Sequence, residues 1–95
     1  MDLNQFERSL AQTQPPPGLP PPLQALWWDG KDDWSAAHRA AQDGDDARSA
    51  WVHAYLHRKE GDLRNARYWY QRAGKPEPDA SLSEEWRSIA TALLG

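Results

Sequence analysis

Three residues in one stretch of this chain could do coordination chemistry. His53, His57 and Glu60 are spaced i, i+4 and i+7, which places them on one stripe of a helix. Two imidazoles and a carboxylate are ligands for Zn²⁺, and three protein ligands leave a fourth position open. No Glu lies between the histidines in the His-Glu-x-x-His manner, where that Glu is the base of a zinc peptidase. The competing reading is structural: the rings complete a helix interface, and Glu60 pairs with Arg58 or Lys59.

A second polar stripe follows. Asn65, Tyr68 and Arg72 stand at i, i+3 and i+7 on the next helical stretch. If the two stretches fold back as a hairpin, this stripe lies beside His57, Arg58 and Glu60. Donors and an acid gathered there would form a pocket for a small anion, a carboxylate or a peptide end. The alternative is a polar network that fixes the tight Gly61-Asp62 turn. His57 and Glu60 could exchange protons in principle. No nucleophile or oxyanion site stands beside them, and no established catalytic motif is present. The expectation is therefore not an enzyme, and no cofactor is expected.

The elements that must position these residues are marked by their ends. Asp2 can cap a short helix carrying Leu3, Phe6 and Leu10 on one face. Residues 15–22 read Pro-Pro-Pro-Gly-Leu-Pro-Pro-Pro, a polyproline II segment with one Gly18 joint. Leu23 to Trp28 predicts a short helical turn, with Pro21 or Pro22 suited to its first turn and Gly30 to its C-terminal cap. Asp32 or Asp33 opens a helix ending at Gly44. Asp45 or Asp46 opens one ending at Gly61, and Asp62 opens one ending at Gly74. Pro76 and Pro78 bar its continuation. Ser81-Leu82-Ser83-Glu84 is a capping box for a last helix carrying Leu82, Trp86, Ile89, Ala90 and Leu93. With one valine, one isoleucine and 14 alanines among 95 residues, a β-rich core is nearly excluded. The fold class is all-α.

A 17-residue offset relates neighbouring helices. Trp34/Trp51, Ala37/Ala54, Gly44/Gly61 and Asp45/Asp62 coincide, and Trp69 and Trp86 continue the series at steps of 18 and 17. Two such units make a helix pair. Within residues 50–78 a small residue at Ala54, a turn glycine at Gly61, then Ala66, Tyr70, Ala73 and a closing Pro78 resemble the tetratricopeptide (TPR) and Sel1-like helical repeats. The aromatic expected at Ala50 falls one place late, on Trp51. The resemblance covers residues 33–49 loosely and the first 30 residues not at all. It implies a short TPR-like antiparallel helical stack over residues 31–95. Residues 1–30 then supply an N-terminal helix, a polyproline strap and a short helix. The run His57-Arg58-Lys59-Glu60-Gly61-Asp62, with Asn65-Ala66, Tyr68-Trp69-Tyr70 and Arg72-Ala73-Gly74, also resembles a stretch of small proteins to which no activity is assigned. It implies no function.

The repeat makes Trp34, Trp51, Trp69 and Trp86 one wedge per helix, hence core. Trp27 and Trp28 fall outside the series beside the proline run, whose rings they are expected to pack against. The helix 46–60 is apolar around most of its circumference and belongs in the middle, with neighbours on both sides. Short solenoids present concave surfaces to partners. The first expectation is a non-enzymatic interaction module for a protein or peptide. A stack this short also leaves an end through which it can form a homo-oligomer. The second is a small-ligand (anion) or metal site around His53, His57, Glu60, Asn65 and Arg72, with catalysis there as its further option.

Charge adds exclusions. The chain carries net charge −3, so bulk attraction to nucleic acid or an anionic membrane surface is not expected. It is unevenly spread. Residues 29–46 hold six Asp against Lys31 and Arg39, for −4. Residues 47–75 hold seven Lys/Arg against Glu60 and Asp62, for +5. Residues 76–95 return to −3. The blocks are expected to pair with each other, the sharper alternative being a basic surface over the middle helices. With no cysteine, disulfides and thiolate sites are excluded. No apolar run approaches the roughly 18 residues of a membrane span. The start Met1-Asp2-Leu3-Asn4 lacks the basic and apolar regions of a signal peptide. The expected location is cytoplasmic.

Overall fold

Asp and Ser side chains open most of the helices. In a computed structural model describing residues 1–95, six α-helices and no strand are formed. They are α1 (Leu3–Ser9), α2 (Pro21–Gly30), α3 (Trp34–Asp43), α4 (Ala47–Glu60), α5 (Leu63–Ala73) and α6 (Leu82–Leu94). The Asp2 carboxylate accepts from the Gln5 N–H at 2.8 Å, Asp33 from Ala36 at 3.0 Å and Asp46 from Ser49 at 3.0 Å. Asp62 does the same for Asn65 at 3.2 Å, and Ser81 for Glu84 at 3.1 Å. Each bond satisfies a donor that the first turn leaves without a partner, worth about 1 kcal/mol. At the other ends, Gly61 (φ +89°) and Gly74 (φ +69°) close α4 and α5 in the left-handed conformation.

The second helix spans Pro21–Gly30, with the expected prolines in its first turn, where no N–H is needed. Gly30 is its last helical residue rather than its cap. The reason is space: a Cβ there would meet both Leu10 methyls at 2.9 Å. The chain then turns through Asp32, the one non-glycine residue at positive φ (+61°).

Helix α4 sits in the middle, packed against α2, α3, α5 and α6. Its turns carry Val52, Tyr55 and Leu56 into the main core with Phe6, Leu26, Trp27, Trp86 and Ile89. Residues of 1–30 and of 31–95 thus share one apolar cluster. Ala54, Ala66 and Tyr70 form a second, smaller cluster between α4 and α5. The last helix runs against α4, α2 and α1, and it does not pack along α5.

The tryptophans divide differently from the 17-residue series. Trp86 is buried, but Trp34, Trp51 and Trp69 are only half-buried. The fully buried one is Trp27, from outside the series. Its indole N–H donates to Ser9 Oγ at 3.0 Å, so it holds α1 against the bundle. Lys31 Nζ ties down the segment after α1 by donating to the Leu10 and Gln12 carbonyls at 2.7 and 2.9 Å.

The charge blocks meet as expected. Lys59 pairs with buried Asp29 at 2.8 Å and Arg58 with buried Glu85 at 2.7 Å. At the surface Arg67 pairs with Glu77 at 3.4 Å. Each buried carboxylate also accepts from a tyrosine: Asp29 from Tyr55 at 2.9 Å, Glu85 from Tyr70. Two lone pairs, one cation and one hydroxyl make each buried acid a satisfied group rather than a penalty. No helix is long and apolar enough to cross a membrane.

Candidate metal centre

All three histidines of the chain converge on one place. His38 comes from the second turn of α3, His53 from the middle of α4 and His57 from its last turn. The ring centroids are 4.6 Å apart for His38–His53, 4.9 Å for His53–His57 and 5.3 Å for His38–His57. One ring nitrogen from each lies within 4.8 Å of the other two. His38 Nε2 and His53 Nε2 share a hydrogen bond of 2.9 Å, which requires one to be protonated and the other to carry its lone pair.

Two tryptophans fix the rings. Trp34 stacks on His38 at 4.8 Å with an 11° interplanar angle, and its indole N–H donates to the Leu56 carbonyl at 2.9 Å. Trp69 stacks on His53 at 4.0 Å and 11°. The Arg72 guanidinium covers the outer face of this arrangement, 4.9 Å from the Trp69 ring and 5.9 Å from Tyr68.

Glu60 stands behind His57, its Oε2 2.6 Å from Nδ1. A carboxylate only accepts, so Nδ1 carries a proton, which leaves Nε2 as the nitrogen that can face a metal. This is the arrangement in which an acid orients a metal-binding imidazole.

Burial lowers the pKa of His38 below its ordinary value, with the charge of His57 adding to it. Burial likewise lowers His53, to about 4, with His38, His57 and Arg72 contributing in that order. Both rings are therefore neutral at neutral pH, the form that coordinates.

The residues singled out by spacing are distributed as follows. His53, His57 and Glu60 come together, but the third member of the ring cluster is His38, and Glu60 acts on His57 from behind. Arg72 reaches the cluster through Trp69. Asn65 donates its side-chain amide to Asp62 at 3.2 Å and so belongs to the turn. Arg58 turns away to Glu85 and the Ala80 carbonyl. Tyr68 is exposed on the outer side of α5. Asp62 also lies near His57 and Glu60, but its two oxygens are engaged in capping α5.

His38 was not visible in helical spacing because it lies on another helix, 15 residues before His53. Two signals pointed toward it. It sits one turn after Trp34, and the chain has no histidine outside this trio.

A cavity of about 130 Å³ opens beside the cluster, bounded by Gly44, Asp45, Ala50, His53, Trp69 and Arg72. It gives a small molecule access to one edge of the centre.

Compared with known proteins, the chain matches no family model, no curated protein and no solved structure.

Proposed function

We propose that this protein binds one divalent transition-metal ion of the zinc class on His38, His53 and His57. The observation that carries the proposal is the convergence of every histidine in the chain, from two helices, with one nitrogen each within 4.8 Å. Zinc takes imidazole nitrogens at about 2.0–2.1 Å, so a tetrahedral set places the nitrogens about 3.3 Å apart. Small rotations of the rings bridge the difference. The His38–His53 hydrogen bond is then exchanged for two metal bonds. Glu60 keeps His57 in the coordinating tautomer.

Three protein ligands leave a fourth position for water or a small anion, with Arg72 as the nearest cation. An ion there would act as a Lewis acid or simply tie α3 to α4. The affinity order for such a nitrogen site places Cu²⁺ above Zn²⁺ and Ni²⁺.

The test is calorimetric titration of untagged protein with Zn²⁺, Ni²⁺ and Mg²⁺. The proposal expects one equivalent of Zn²⁺ and of Ni²⁺ and no binding of Mg²⁺. Titration with Cu²⁺ should quench tryptophan fluorescence, since Trp34 and Trp69 lie on the ligand rings. His38→Ala should abolish stoichiometric binding, and Glu60→Gln should weaken it by about 10- to 100-fold. Binding of Zn²⁺ unchanged by His38→Ala, or no binding at all, overturns it.

A second reading rests on α5. This helix packs mainly on α4, and the residues resembling the TPR pattern, Ala54, Ala66 and Tyr70, form the cluster between the two. Leu63 and Tyr68 stand 60% and 51% exposed. On this reading the pair is a TPR-like hairpin, non-enzymatic, whose outer side meets a protein or peptide partner. Capture of a lysate protein that is lost in Leu63→Ala/Tyr68→Ala, with an unchanged melting curve, supports it. Equal capture by both refutes it.

A further inference from the structure

Helices α5 and α6 both pack along α4 and meet each other through the Tyr70–Glu85 hydrogen bond. Where their C-terminal ends pass the first turns of α4, a groove of about 370 Å³ is left open. Trp51, Ala73, Ala92 and Leu93 supply its apolar wall, and Arg48 and Lys75 flank it. Trp51 is half-buried and packs on both apolar clusters, so its position is fixed. Lys75 Nζ lies 4.4 Å from the Trp51 ring.

The charged side chains of this groove are of one sign. No Asp or Glu lines it, although acids outnumber bases 14 to 11 overall. The five ion pairs of the protein engage His57, Arg58, Lys59, Arg67 and Arg87, and neither Arg48 nor Lys75 is among them. Two unpaired cations beside a fixed indole and small aliphatic side chains are complementary to one kind of molecule. It has a short apolar body and a single negative end.

We propose that this groove binds a small amphipathic anion, namely an aliphatic carboxylate. Its chain lies on Trp51 between Ala73, Ala92 and Leu93, and its carboxylate bonds to Arg48 and Lys75. Arg48 and Lys75 are exposed, so water competes for the charged end. Affinity then rests on the chain, and selectivity rests on the charge. The site shares no residue with the histidine centre, so the two proposals stand or fall separately.

The experiment is an amide-resolved NMR titration of the metal-free protein with octanoate, octanol and octylammonium at one pH and ionic strength. Octanoate should produce saturable shifts confined to the amides around Trp51, Gly74, Lys75 and Leu93, with a dissociation constant on the order of 1 mM. Octanol should bind about 5-fold more weakly, since an exposed charge pair is worth up to about that factor. Octylammonium should bind more weakly still. Lys75→Ala and Arg48→Ala should each weaken octanoate by about 3- to 5-fold with little change for octanol. Melting curves of both variants should match the wild type. Equal binding of all three probes, shifts centred elsewhere, or no saturable shift overturns the proposal.

Discussion

Replacing Glu85 tests how the bundle is held together. Its carboxylate is 4% exposed and has two donors, Arg58 Nη1 at 2.7 Å and the Tyr70 hydroxyl. Arg58 is 21% exposed and gains a further bond to the Ala80 carbonyl. At an effective dielectric of ~20, charges ~4 Å apart attract by about 4 kcal/mol. Most of that is offset by desolvation while the pair is intact. Removing one partner strands the other, which costs about 3–5 kcal/mol. Glu85→Ala should therefore lower stability by about 4 kcal/mol, and the melting temperature by about 15 °C or more in a domain of this size. Glu85→Gln should cost about 2 kcal/mol. The amide oxygen can still accept from Arg58, and the Tyr70 hydroxyl can turn to accept from the amide nitrogen. Arg58→Met combined with Glu85→Leu should cost clearly less than the sum of the single changes, because an apolar pair replaces a buried ionic one, and the loss that remains is about 1–3 kcal/mol for the buried Tyr70 hydroxyl left without its acceptor. Urea unfolding followed by circular dichroism measures all three. A loss under 1 kcal/mol for Glu85→Ala would refute the reasoning, as would an Arg58→Met/Glu85→Leu double variant as damaged as the sum of its single changes.

Three further outcomes follow from single sites. Burial raises the pKa of Tyr55 and Tyr70 far above the ordinary tyrosine range, reinforced by Asp29 and by Glu85 respectively. The folded state thus keeps protons that the unfolded state loses above pH ~10, and stability should fall there by about 1.4 kcal/mol per pH unit for each tyrosine. The stabilising contribution is fully present below pH ~10. Alkaline denaturation of Tyr55→Phe should show about half the slope, and an unchanged slope would contradict the assignment. At Gly44 the need is for space, not for unusual φ: a Cβ there would overlap Ser49, whose own Cβ would lie only 2.8 Å away. Gly44→Ala should cost about 1–3 kcal/mol, and Ser49→Gly should recover much of it. A neutral Gly44→Ala in urea unfolding would count against this packing. Trp27→Phe removes the hydrogen bond to Ser9 and should cost about 2–3 kcal/mol. Hydrogen exchange should then show faster opening of α1 than of α4, and uniform acceleration of both would argue against that role for Trp27.

The sequence foretold local features far better than packing. Asp33, Asp46, Asp62 and Ser81 announce their helices because a cap acts over three residues of the same chain. The pairing of the charge blocks was also legible, since burying Asp29 or Glu85 demands a cation. What one helix brings to another was not. His38 joins His53 and His57 only because α3 crosses α4 at that level, and no spacing rule within a helix encodes a crossing. Trp27 is the buried indole, although the 17-residue series chose the others. Periodicity counts turns, while burial depends on which neighbour covers them. The path of α6 across α4, α2 and α1 was hidden for the same reason: residues 75–80 say where α5 stops, but not where the chain goes next.

Residues 57, 58 and 59 face three ways. His57 meets the rings on α3, Arg58 reaches Glu85 on α6, and Lys59 reaches Asp29 on α2. Consecutive positions of a helix are about 100° apart, so this triplet reads out the rotational setting of α4 against three neighbours at once. Losing one residue upstream within α4 would turn all three side chains to the wrong partner. The same loss between Lys75 and Asp79, in the connection to α6, leaves the facing of all three residues on α4 unchanged and can touch only the Arg58 contact. Changes of length should therefore be nearly forbidden before His57 and far better tolerated after Gly74, a pattern that a deletion scan across residues 47–80 would display directly.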